Sequence, residues 1–332
     1  MPVIIDGTNG ITQAGEFNSD SSFGLKNRIS NGAMVIDQRN AGASVTPTDG
    51  QYTLDRWTFA VGQTNKLTAQ QNAGAVTPPT GFSNYLGITS SSAYTLLAGD
   101  YFTVAQRIEG FNFADMAWGT ASAATVTLSF WVRSSLTGTF GGTLNNNVYN
   151  RNYPFTYTIL LANTWEQKSV TVAGDTSGTW VGATNGTGLS IQFSLGMGST
   201  YSGTSGAWTS SVVFAPTGAT SVVGTNGATW YITGVQLEKG STATSFDYRP
   251  YTTELQLCQR YYAFGGNSFF GSYGGSSSGL IMLFYKVSTR ATPTITSTLA
   301  GSSGSGVSTE VGNIYILTNS TSPTTWTASA EL

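Results

Sequence analysis

Between Lys26 and Tyr248 the chain breaks into short runs of β-branched and aromatic residues, set apart by Gly, Asn and Thr turns, and none of the runs carries a clear helical stripe. Residues 57–61, 125–132, 155–161, 167–172, 189–195 and 229–237 are examples. Many alternate apolar with polar side chains, the two-residue period of a strand with one buried face. Short strands in such numbers, without amphipathic helices between them, argue for an all-β sandwich. With 332 residues there is length for two or three domains and a sizeable core. No repeat of fixed period is present, which argues against a solenoid or a propeller.

Composition narrows the function classes. Charged residues make up 9% of the chain, against roughly 25% in ordinary soluble domains. Aromatics at 12% supply large anchors, so the pattern reads as packed β-structure with polar, uncharged loops. A net charge of -2 gives no basic footprint for nucleic acid and no attraction to an anionic membrane. The longest apolar run, 280–285, is far too short to span a bilayer. Asp6 and Glu16 interrupt any secretory pattern at the start. Cys258 is the single cysteine, so no intrachain disulfide is expected, and the residue reads as a small buried apolar group.

Residues 235–262 are the densest specific stretch. Val235, Gln236 and Leu237 alternate as in a half-buried strand. Lys239-Gly240-Ser241 is a turn, and Pro250 biases Arg249 towards an extended conformation. Thr252 is placed to cap a short helix with Glu254 in its first turn. Leu255, Cys258 and Tyr262 follow at 3-then-4 spacing, a narrow apolar stripe. Beyond this joint a second β-segment runs from 279 to 332, with 280–287 and 313–317 its clearest strands and 300–308 a Gly/Ser loop. Its core would be thin on its own. Packing about a three-fold axis would remedy that, with Leu255, Cys258 and Tyr262 as candidate interface residues. At the other end, residues 1–12 hold one short apolar strand at 3–5, read as pairing with another subunit, docking on another protein, or fraying.

Chemistry is sparse. The chain has 0 histidines, which removes Ser-His-Asp and Cys-His catalysis and the usual His-containing zinc sites. The Gly/Ser run at 301–306 lacks the ending of a phosphate-binding loop. Paired carboxylates remain, and between Trp118 and Leu237 the acids are Glu166 and Asp175, on either side of a strand. Strand-edge charge is the favoured reading over a glycanase pair, as it is for Asp100 and for Glu109 with Asp115. No enzyme activity, cofactor or metal is expected. Arg56, Arg107, Glu109, Arg133, Glu238 and Arg249 could bind a ligand or pair internally; the expected pairing is Arg107 or Arg133 with Glu109 or Glu238.

Aromatics are the better candidates for recognition, because an exposed ring stacks on the C–H face of a sugar while polar loops supply hydrogen bonds. Trp57 and Trp131 lie inside strands and read as core. Trp180, Tyr201 and Trp208 lie in Gly/Ser/Thr-rich stretches, Tyr149 and Tyr153 flank Asn150-Arg151-Asn152, and Phe269, Phe270 and Tyr273 stand in a Gly/Ser setting. Each is a candidate ligand contact, with loop anchoring or subunit packing as the alternative.

Gln236-Leu237-Glu238, Gly240, Ala243-Thr244, Phe246 and Arg249-Pro250, followed by Glu254-Leu255 and Cys258-Gln259-Arg260-Tyr261-Tyr262, resemble a pattern that recurs in bacteriophage virion structural proteins of the tail fibre or minor tail protein type. The strings NRISNGAMVIDQRNAG (27–42), LDRW (54–57), QRIEG (106–110), LSFWVR (128–133) and RATPT (290–294), with Ala330-Glu331-Leu332, are similar to the same group. The resemblance implies a virion-attachment arm and linker over 1–25 and a jelly-roll sandwich of the carbohydrate-binding-module type over 26–249. It also implies a connecting helix over 250–263 and a small C-terminal β-domain over 264–332. The function it implies is a homotrimeric tail fibre or receptor-binding protein, made in the host cytoplasm and built into the virion. Its partners would be itself, a tail or capsid protein, and a host cell-surface glycan, without nucleic acid or membrane insertion. A capsid decoration or head fibre protein is the alternative, and a glycan-depolymerising tailspike is disfavoured.

Overall fold

The alternating runs become strands whose apolar faces meet in one core. The computed structural model describes residues 26–265, 287–296 and 326–332 in full, and strand backbone alone at 4–6, 10–13, 270–272, 279–284, 297–299, 307–310, 313–318 and 323–325. At the start, β1 (Ile4–Asp6) and β2 (Gly10–Gln13) pair antiparallel with each other. The sandwich strands follow: β3 (Tyr52–Leu54), β4 (Trp57–Val61), β5 (Leu67–Gln71), β6 (Leu86–Ser90), β7 (Tyr101–Glu109), β8 (Val126–Ser134), β9 (Gly138–Asn145), β10 (Asn152–Ile159), β11 (Glu166–Val172) and β12 (Thr187–Met197). A long loop carries β13 (Ser202–Gly203) and β14 (Ala215–Pro216) before the last sandwich strand, β15 (Thr229–Lys239). Helix α1 (Tyr251–Gln259) and β16 (Tyr262–Gly265) lead into β17 (Phe270–Ser272), β18 (Gly279–Phe284), β19 (Thr294–Leu299), β20 (Val307–Glu310), β21 (Asn313–Thr318) and β22 (Pro323–Ser329).

Two antiparallel sheets form the expected sandwich, one in the order β10-β9-β12-β7-β4-β3 and the other β11-β8-β15-β6-β5. Phe59, Phe102, Val104, Phe155 and Phe193 from the first meet Leu128, Phe130, Trp230, Ile232 and Leu237 from the second, all buried. Phe130 sits edge-on to Phe193, ring centroids 5.0 Å apart, an arrangement that sets the negative ring face against the positive edge. The buried indole of Trp230 donates to the Tyr157 hydroxyl at 3.0 Å, so its one polar atom is satisfied. Gly142 of β9 is required by this packing: a Cβ there would run into the Gln192 carbonyl oxygen and stand 2.8 Å from the Phe155 ring.

The joint departs from expectation in detail. Gln236 is fully buried rather than facing solvent, because segment 244–247 closes over it and the Asp247 N–H donates to its side chain at 2.8 Å. Helix α1 begins at Tyr251 after Pro250, with no side-chain cap, so Thr252 does not cap it. Its buried residues are Glu254 and Cys258, one turn apart. The Glu254 carboxylate accepts the Asn31 N–H and pairs with Arg249, and burial pushes the Cys258 thiol up. Cys258 therefore lies inside the chain's own packing, Leu255 is half-buried, and Tyr262 opens β16 beneath the Arg39 guanidinium, 3.7 Å from its ring centroid. The three do not form one exposed stripe.

β22 is the middle strand of a three-stranded sheet, β16-β22-β19, and β17-β18-β21-β20 form another sheet. Residues 330–332 reach back to the sandwich. The Glu331 carboxylate lies between Arg39, at 2.7 Å, and Arg56, while the Tyr52 hydroxyl donates to the Leu332 main-chain oxygen at 2.9 Å. The ion pairs differ from the expected ones. Glu109 takes the fork of Arg260 at 2.9 and 2.6 Å and the Tyr261 hydroxyl at 2.8 Å. Glu238 accepts the Thr244 N–H and hydroxyl, and Arg133 donates to the Asn163 carbonyl. In this charge-poor chain the acids lock segments distant in sequence together.

Candidate ligand cleft

Along β7, Phe102, Val104 and Ile108 enter the core, so Tyr101, Thr103, Ala105 and Arg107 lie on the outer face of the six-stranded sheet. Thr58 and Ala60 of β4 stand beside Ala105 and Thr103, and Gln192 and Ser190 of β12 stand beside Ala105 and Arg107. This is the floor of a cleft of ≈ 360 Å³. From Tyr101 to Arg107 it runs about 20 Å at the rise of an antiparallel strand. Asp49 and Gly50 line one side; Tyr149, Tyr201, Val212 and Phe214 line the other.

The loop between β12 and β15 builds the aromatic side. It folds across the sheet because β13 and β14 pair in parallel, Ser202 with Ala215, and because the Phe214 N–H donates to the Tyr201 carbonyl at 2.8 Å. Tyr201 and Phe214 stand 5.5 Å apart, tilted by 34°. Tyr149 meets Phe214 edge-on at 5.3 Å, and Tyr101 meets Tyr201 edge-on at 5.9 Å. Tyr149 holds a left-handed φ of 58° in a turn pinned by Asn146, whose side-chain oxygen accepts the N–H groups of Asn150 and Arg151.

The floor is polar and fixed. Gln192 accepts from the Thr103 hydroxyl at 3.3 Å and donates to the Asn145 side chain at 2.9 Å. Burial, helped by Asp49 and Tyr201, pushes the Tyr101 phenol above its ordinary value, so it stays a protonated donor at neutral pH. Asp49 is an exposed rim residue whose carboxylate accepts the Val61 N–H at 3.0 Å, and it is the acid among the lining residues. Four aromatic rings beside hydroxyl and amide groups suit a ligand with apolar faces and polar edges.

The sequence candidates divide. Tyr149 and Tyr201 come together in the cleft. Trp180 and Trp208 pack against Trp118, at 4.8 and 5.1 Å, and Tyr153 packs on Trp208 at 5.2 Å. Their indole N–H groups are taken by Asp175 and the Ala173 carbonyl, so this cluster anchors loops at one end of the sandwich. Phe269 and Tyr273 lie outside the described residues, and of Phe270 the strand backbone alone is described. Trp57 is core, but Trp131 is half-buried on the outer face of the five-stranded sheet. Glu166 is held by Lys168 and the N–H groups of Leu160 and Leu161; Asp175 is held by the fork of Arg151 at 2.6 Å.

Tyr101, Thr103, Ser190, Gln192 and Phe214 were not singled out from sequence. The usable signal was the alternation of Tyr101, Thr103, Ala105 and Arg107 with apolar neighbours, which marks a polar outer face. Among the described residues there is no acid, Cys and His group placed to hold a metal, and no helix long and apolar enough to cross a membrane.

No family pattern matches the sequence, and no curated protein matches it by sequence. Among solved structures, the chain is similar to the enzymatically active domain of bacteriophage CBA120 tailspike protein 4, with a TM-score of 0.35 and 15% identity over 65% of this chain and 22% of that one. The likeness thus spans under a quarter of that domain's length. The chain is also similar to the carbohydrate-binding module TmCBM61 in complex with β-1,4-galactotriose, with a TM-score of 0.33 and 9% identity over 65% of this chain and all 100% of that one. A family 11 carbohydrate-binding module from Clostridium thermocellum, in complex with a mixed-linked tetrasaccharide, is similar with a TM-score of 0.30 and 11% identity over 60% of this chain and 97% of that one.

Proposed function

We propose that the protein binds a carbohydrate chain in the cleft on the six-stranded sheet, without cleaving it, as the adhesion module of a phage virion fibre. The observation that carries the binding claim is the row of Tyr101, Tyr201, Phe214 and Tyr149 beside the polar floor of Thr103, Ser190 and Gln192. Sugar rings stack on such faces while their hydroxyls exchange water for fixed donors and acceptors. The virion assignment is supported by the strings from 27–42 to 330–332, and a homotrimer in the virion is part of the same reading.

The test is binding to a panel of oligosaccharides by the full chain and by Tyr149→Ala and Tyr201→Ala. The reading expects a panel member that binds, affinity falling about tenfold or more in each variant, and no new reducing ends on incubation. Absence of binding across the panel, or binding untouched by both substitutions, contradicts it. For the virion claim, gold-labelled antibody on intact particles should mark the tail or its fibre tips; label spread over the head would contradict it.

A further inference from the structure

The cleft carries a cation at one end and an anion at the other. Asp49 lies beside the Tyr101 end, tied to Val61, which pairs with Phe102. Arg107 closes the opposite end of the β7 row and lines the cleft. Most arginines here are spent on the chain's own carboxylates: Arg28 on Asp115, Arg39 and Arg56 on Glu331, Arg151 on Asp175, Arg249 on Glu254 and Arg260 on Glu109. Arg107 forms no ion pair with a side-chain carboxylate among the described residues. Its Nη1 donates to the main-chain oxygen of Leu332, the last residue of the sequence, which also accepts the Tyr52 hydroxyl, and this restrains one end of the guanidinium. Nε and Nη2 have no acceptor among the described residues, and neither is sealed from solvent, unlike the orphaned Nε atoms of Arg39, Arg56 and Arg249.

We infer that the cleft takes an acidic glycan, and that the Nε–Nη2 edge of Arg107 receives the carboxylate of a uronic acid unit. The inference rests on the carbohydrate reading of the cleft. Two parallel N–H donors on one edge of a guanidinium match the two oxygens of a carboxylate, and such charge-assisted pairs are shorter and stronger than neutral ones. Leu332 and Tyr52 act as positioning residues by holding the third donor. Asp49 repels an acid at the far end, so the bound chain has one preferred direction.

The experiment compares uronate-bearing trisaccharides with their carboxyl-reduced counterparts, titrated into the full chain, into Arg107→Gln and into Arg107→Lys. At least one uronate form should bind the native protein tenfold or more tightly than its reduced partner, with the difference shrinking as salt rises. Arg107→Gln should erase the difference, and Arg107→Lys, which keeps the charge but loses the fork, should restore part of it. Equal binding of both members of every pair, weakened by Tyr201→Ala but not by Arg107→Gln, overturns this inference and leaves the carbohydrate reading standing. Failure of every trisaccharide to bind overturns both. The native comparison needs no substitution, so a poorly folded variant does not rescue the claim.

Discussion

The Tyr201 ring lies 5.5 Å from Phe214, tilted by 34°, and the two residues lie on opposite limbs of the loop folded over the six-stranded sheet. Phe214 thus supports the Tyr201 ring at the wall of the cleft. Phe214→Ala should lower affinity for a bound oligosaccharide about tenfold, the equivalent of roughly 1.4 kcal/mol, with a melting point only a few degrees lower. Calorimetric titration beside a thermal melt checks it; unchanged affinity would detach Tyr201 from its support.

Trp208 has the opposite role. It packs on Trp118 and Tyr153 with its N–H taken by Ala173. Trp208→Ala should cost on the order of 3 kcal/mol of stability while leaving the affinity of the cleft unchanged. Retained stability with lost binding would return this tryptophan to the ligand site.

Glu109 is buried and holds both Arg260 and the Tyr261 hydroxyl. Removing one partner of such a pair leaves the other groups unmatched, at a cost of roughly 3–5 kcal/mol for a fully buried pair; Arg260 is partly exposed, so the lower end applies. Glu109→Ala should lower the urea midpoint and speed proteolysis near residue 260. A midpoint within error of the native one would refute the locking role.

Asp55 supplies a pH dependence. Burial pushes its carboxyl up to about 6, against the opposing hydrogen bonds from Gln38 and the charge of Arg39. The folded chain therefore holds this proton more tightly than the unfolded one. The contribution is fully present below the ordinary value near 4 and is lost as pH rises through about 6. At neutral pH it amounts to roughly 3 kcal/mol of lost stability. Native stability minus that of Asp55→Asn should fall by up to that amount between pH 4 and pH 7, as read by chemical denaturation. A difference flat with pH would mean that Asp55 titrates normally.

The sandwich was legible because its strands alternate: every run read from sequence between 57 and 237 overlaps a strand of the fold. The cleft was half legible. Tyr149 and Tyr201 stood out as loop aromatics, but so did Trp180 and Trp208, and composition alone does not tell a loop aromatic that faces solvent from one that pins its loop to the core. The difference lies in Trp118 and Asp175, which take up the second pair through contacts distant in sequence. The same limit applied to the arginines. Glu109 is two residues from Arg107, yet on a strand that spacing puts both on one face without a shared partner, and Arg260 supplies the pair from beyond the helix. Cys258 was legible as buried; that its burial is within the chain's own packing was not.

Binding in the cleft is tested by amide shift mapping of the full chain with the oligosaccharide that binds most tightly from the panel. Shifts should cluster at Thr103, Ala105, Tyr149, Ser190, Gln192 and Tyr201. Shifts centred on Trp180 and Trp208, or on the outer face of the five-stranded sheet around Trp131, would contradict it.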